Sequence, residues 1–165
     1  MQRIPSQNRA AGLVGWLAVT FAAAVIGSLA SINAGSFYAQ LRLPGWAPPS
    51  SWFGPVWTIL YIMMAIAAWL VWLEGDFQET RGTLILYVIQ LVPNALWSWL
   101  FFRLHSGLFS FADILLLWIL VTMTVFAFFR ARALAGLLLV PYLLWVSFAT
   151  SLNFSIWIMN RGILG

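Results

Sequence analysis

Long uncharged runs alternate with short charged ones along this chain. Residues 10–41, 43–73, 82–102, 114–129 and 133–160 contain no Asp, Glu, Lys or Arg. A bilayer core of ~30 Å is crossed by ~20 apolar residues in a helix. Each run fits one crossing, the fourth with Asp113 at its edge. Backbone groups in lipid must be satisfied inside their own segment, which makes these runs helices. The alternating segments of ~10 residues that mark membrane strands do not occur. The pattern therefore predicts an all-α integral membrane bundle of five transmembrane helices, one domain over 1–165. The spans lie near 13–34, 54–73, 83–102, 109–129 and 134–158.

Four connections follow. The first, 35–53, is long and rich in Pro, Gly and Trp. The second, 74–82, is acidic, and those at 103–108 and 130–133 are short. Composition removes the alternatives. With 63% hydrophobic and 7% charged residues, the chain cannot cover a water-facing surface, since soluble domains carry ~25% charge. The absence of cysteine excludes disulfide and thiolate chemistry, and a single histidine excludes a multi-His metal site. A cleaved signal peptide is the rival reading of the first segment, but its apolar run exceeds the usual ~7–15 residues. Five arginines (3, 9, 81, 130, 132) fall on the N-terminal side and three (42, 103, 161) on the other. That bias favours a cytoplasmic N-terminus. No basic cluster supports nucleic-acid binding.

Polar residues inside the spans bring in chemistry. Gln90, Asn94, Trp97 and Phe101 share one stripe of the third span, beside Pro93, which removes an N–H from the helix. Two amides in a bilayer core need partners. Either they join helices, at ~0.6–2 kcal/mol each, or they line a pocket. In the second span Trp57, Tyr61, Met64, Ala68 and Trp72 fall on one face. In the fifth, Tyr142, Trp145, Ala149 and Asn153 do so, and the small Ala149 leaves room either for a flat guest or for a close helix. Ala23, Gly27, Ser31 and Gly35 form a small-residue ridge on the first span, suited to packing within the protomer or across a homodimer. Ser110 and Asp113 read as a capping box opening the fourth span. His105 reads as a solvated loop residue, with an axial haem ligand as the alternative.

The ordered set Pro44-Gly45-Trp46-Ala47-Pro48-Pro49, Gly54-Pro55-Val56-Trp57, Tyr61, Gln90, Asn94, Trp97, Phe101-Phe102, Asp113, Pro141-Tyr142-Leu143, Trp145, Ala149-Thr150, Leu152-Asn153, Trp157 and Asn160 resembles the translocator protein family. Its bacterial members are the tryptophan-rich sensory proteins (TspO/MBR). The resemblance spans roughly residues 35–160. It implies a multi-pass membrane protein, expected to be bacterial, acting as a homodimer. It further implies a tetrapyrrole ligand, porphyrin or haem, rather than an obligatory cofactor, held between the helices under the first loop. By position, the binding residues would be Trp57, Tyr61, Gln90, Asn94, Trp97, Trp145 and Ala149, with Trp46, Pro48 and Pro49 in the lid.

A flat, π-rich macrocycle suits indole faces, and its carboxylates suit an Arg fork, for which Arg42 is the nearest candidate. The resemblance also implies two alternatives to a receptor. One is light-dependent porphyrin breakdown with Trp57 and Trp145 as redox groups, and the other is porphyrin or sterol transport. Two departures stand out. Pro93 adjoins the amide pair, and the family's sterol-recognition stretch has Phe154 where a Tyr is expected, with Arg161 the next base.

Overall fold

The computed structural model describes residues 6–74 and 77–165. Arg3 and Asp76, used above for charge placement, lie outside the described residues, as does the side chain of Glu79. Seven α-helices occur within them: α1 (Ser6–Ala30), α2 (Ala34–Tyr38), α3 (Phe53–Trp72), α4 (Phe77–Ser98), α5 (Gly107–Ala131), α6 (Ala133–Met159) and α7 (Arg161–Leu164). A 3₁₀ turn, Ser50–Trp52, leads into α3, and a π-helical turn, Trp99–Arg103, ends α4. No strand occurs among the described residues. Five helices are long and apolar enough to cross a membrane, as the uncharged runs predicted.

The helices close a ring in the order α1, α3, α6, α5, α4 and back to α1. The inner face of α3 is the centre, where Met64, Ala65, Ala67, Ala68 and Val71 are completely covered. Small alanines let four neighbours approach one helix. Large apolar side chains such as Val92, Phe126 and Leu144 face outward, where acyl chains take the place of a protein partner.

The first helix has the least apolar burial and is held by polar contacts. The Trp69 indole N–H donates to the Arg9 carbonyl at 2.9 Å, and Trp99 Nε1 donates to the Ile26 carbonyl at 3.0 Å. Thr20 Oγ1 donates to the Trp16 carbonyl, which leaves Tyr87 as donor to Thr20 across 2.6 Å. In a medium without water such bonds persist because no solvent competes for either partner.

Connections agree with an odd number of crossings. Arg132, the one residue between α5 and α6, is extended and pairs with Glu74 after α3 at 3.0 Å. These two connections therefore share one side. At the opposite side the first loop meets the end of α6.

Two expectations change at helix termini. The first span ends at Ala30 rather than near residue 34, because the chain turns at 31–33 and restarts as α2. The capping box does not form. His105 takes a left-handed φ of 49° and Ser106 is extended, so the turn is completed there and α5 begins at Gly107. Ser110 consequently sits inside the helix and donates to the Gly107 carbonyl at 3.1 Å. Asp113 is carried to the second turn, 8% exposed, with Oδ2 unpartnered.

Gly107 is where α5 and α6 touch most closely at this end. A Cβ there would overlap Cγ and Cδ1 of Trp157, a ring already packed against Phe111 and Phe154. Overpacking of this kind costs about 1–3 kcal/mol. Gly107→Ala is expected to lower the thermal midpoint in detergent by several degrees. Gly45→Ala, where nothing lies within 4 Å of the new Cβ, leaves it unchanged in the same assay.

Candidate ligand cavity

Three membrane helices meet in a polar chain. The Tyr61 hydroxyl on α3 donates to Asn94 Oδ1 on α4 at 2.6 Å. Asn94 Nδ2 donates to the Tyr142 hydroxyl on α6 at 2.8 Å, and Tyr142 donates onward to Gln90 Oε1 at 2.8 Å. Gln90 and Asn94 are 1% and 4% exposed. Their spacing of four residues stacks both amides on one face of α4, and Pro93 between them does not interrupt the helix. The amides thus join helices, the first of the two readings open from sequence. Asn94 meets the second reading as well, because it is also part of a cavity wall.

That cavity has a volume of about 620 Å³, within the usual range for small-molecule sites. It lies between α1, α3, α4 and α6, roofed by α2 and the 3₁₀ turn, and α5 contributes nothing to it. Trp57, Tyr61, Asn94, Trp97 and Ala149 line it. Trp57 stacks on Tyr61 with centroids 5.4 Å apart, and Trp97 on Phe101 at 5.2 Å with ring planes within 12°. The ring planes of each pair are roughly parallel, at 29° and 12°. No charged side chain is among the lining residues.

The other residues named from sequence sit around this space. Gln90 lies beneath it, closing the polar chain. Trp145 stands behind Phe53, which does line the cavity, with ring centroids 5.9 Å apart, and its buried Nε1 has no partner. Trp46 packs edge-on against Phe148 at 5.6 Å, and Phe148 against Trp145 at 5.6 Å. The Pro48 carbonyl accepts a 3.4 Å bond from the hydroxyl of Tyr38, a roof residue, and Pro49 precedes the 3₁₀ turn. Of the lid residues, Trp46 therefore joins an aromatic file running through Phe148 and Trp145 to Phe53. His105 is exposed and stacks on Phe37 at 4.1 Å, away from the lining. Arg42 is exposed and also outside the lining.

Sequence reasoning missed much of the wall. On α1, Ala24, Gly27 and Ser28 line the cavity, joined by Ser31 in the turn that follows, where the small-residue spacing pointed only to packing. On α6, Leu152, Asn153 and Ile156 do so. The signal for Asn153 was present, four residues beyond Ala149 on the same face. Phe101 and Phe102 were noted but not placed at the site.

The TspO/MBR family profile matches residues 16–158. A tryptophan-rich protein TspO from Chlorobaculum tepidum is 47% identical over 125 residues, covering 75% of this chain and 79% of that protein. The translocator protein of Homo sapiens is 39% identical over 128 residues, 76% of each chain. A tryptophan-rich sensory protein from Cereibacter sphaeroides is 38% identical over 146 residues, 88% of this chain and 89% of its own length.

The lid is clamped to α6 by one amide. The Arg42 backbone N–H donates to Asn160 Oδ1 at 2.8 Å, and Asn160 Nδ2 donates to the Arg42 carbonyl at 2.9 Å and the Ile156 carbonyl at 2.8 Å. Asn160→Leu removes all three. Hydrogen–deuterium exchange in peptides covering 39–49 is expected to rise about tenfold, with α5 unchanged. Unaltered exchange would mean the aromatic file alone holds the loop.

Proposed function

The chain belongs to the TspO/MBR family, and we propose that it is a membrane receptor for a tetrapyrrole, held in the cavity under the first loop. The protein is an integral multi-pass membrane protein with five spanning helices. The observation that carries the proposal is the wall of flat rings, Trp57 on Tyr61 and Trp97 on Phe101, around an uncharged space of about 620 Å³. A porphyrin is flat, apolar and π-rich. Its faces stack on such rings and its burial removes a large apolar area from solvent or lipid headgroups.

The polar chain supports the same reading. Tyr61, Asn94 and Tyr142 satisfy one another, so the guest need not supply hydrogen bonds at that depth and meets an effectively apolar floor. Because the lining has no cation, propionate groups belong at the lid end, toward Arg42 and water. Related proteins carry the names tryptophan-rich sensory protein and translocator protein, which suit binding coupled to signalling or transfer. A homodimer is part of the same proposal. Since Ala23 and Gly27 are already covered within the protomer, its contact would use other faces of the bundle.

Protoporphyrin IX added to the detergent-solubilised protein is expected to quench tryptophan fluorescence saturably. Trp57→Ala should weaken binding about tenfold by removing one stacking face. Ala149→Phe, which fills the cavity, should abolish it, and Trp145→Ala should have the smaller effect of a support behind Phe53. Linear, unsaturable quenching by the parent protein would refute the receptor reading.

A further inference from the structure

One polar group in the cavity wall has an unmade hydrogen bond. Asn153 is 2% exposed and belongs to the lining. Its Oδ1 accepts the Trp97 indole N–H at 2.8 Å. An indole nitrogen only donates, so the amide oxygen must face Trp97 and the NH₂ group must face elsewhere. Asn153 Nδ2 has no partner. Turning the amide over would set two donors against each other. The orientation is thus fixed by chemistry, and the orphan is a donor.

Asn94 provides the contrast. Its Oδ1 takes the Tyr61 proton and its Nδ2 serves Tyr142, so both polar atoms are already engaged in the chain between helices. Asn94 lies nine residues before the end of the π turn at Arg103, and Tyr61 eight residues into α3. Asn153 lies nearer the lid, seven residues before Asn160, which holds the first loop. At 1.5 Å per residue that is roughly 10 Å along the helix.

From these positions we propose that Asn153 is the specificity-determining donor of the cavity, reserved for an acceptor oxygen, carbonyl or carboxyl, on the lid-facing edge of the ligand. This rests on the tetrapyrrole reading and refines it. Stacking on Trp57 and Trp97 selects for a flat guest but does not distinguish one edge from another. A single oriented donor does, because a guest without an acceptor leaves the buried N–H₂ unpaired. For a porphyrin, the acceptor is an oxygen of a propionate side chain, which directs that edge toward the lid.

The test compares protoporphyrin IX with etioporphyrin, which carries alkyl groups in place of propionates, on the full chain in detergent. Asn153→Leu and Asn153→Ala are expected to weaken protoporphyrin IX about tenfold and to change etioporphyrin less than about twofold. Equal losses for both porphyrins in both variants would assign Asn153 to holding Trp97 and overturn the proposal. Unchanged binding of both would overturn it too, since the donor would then face no ligand. Failure of the parent protein to bind either porphyrin saturably would overturn the receptor reading and this one with it. Binding without discrimination overturns this one alone.

Discussion

The hydrogen-bonded chain from Tyr61 through Asn94 and Tyr142 to Gln90 is the constraint on which the rest of the structure depends. Apolar burial cannot discriminate among helix arrangements in a membrane, because acyl chains are as apolar as leucine. Two amides and two phenols in the bilayer core can. Each is costly without a partner, and this arrangement of α3, α4 and α6 links the four in series. Once those helices are placed, α5 fills the gap between α4 and α6, and α1 closes the ring against α3 and α4.

The same chain shapes the site. It engages the polar atoms of Asn94 and Tyr61 in the scaffold, so part of their hydrogen-bonding capacity is taken up before a guest arrives. Above this depth the wall is built from stacked rings, and among the lining residues the amide with an unpartnered nitrogen is Asn153. Polarity therefore increases toward the lid, where Asn160 clamps the loop and Arg42 meets water. A gradient of this kind orients a guest that is apolar at one edge and acidic at the other, without a charge in the lining.

The bundle was legible because spans are read from uncharged runs, and lipid admits few alternatives to helices. The inward stripes were legible because Gln90, Asn94, Trp97 and Tyr142 recur at helical spacing. Helix starts were not. Ser110 and Asp113 have the spacing of a capping box, but the left-handed turn at His105 places the start at Gly107, with Ser106 rather than Ser110 at the N-cap position. Residues that serve the cavity through a neighbour were equally opaque. Trp145 acts behind Phe53 and Gln90 beneath Asn94, and distance from the guest along a side-chain contact leaves no trace in a periodicity.

The small-residue ridge that begins on α1 serves the cavity as well as packing within the protomer. Small residues every fourth position usually mark a seam where backbones press together. Here a Cβ built on Gly27 would meet Ser98 Oγ at 3.5 Å and Ala95 at 3.6 Å, which is ordinary contact, and one on Gly35 would meet nothing within 4 Å. Closest approach does not require glycine at either position. What Gly27, Ser31 and Gly35 share is a place in the cavity lining. Larger side chains there would extend into the 620 Å³ that the aromatic pairs enclose. The ridge thus also contributes the volume it leaves empty. α1 can wall the cavity loosely because Trp69, Trp99 and the Thr20–Tyr87 bond hold it by other means.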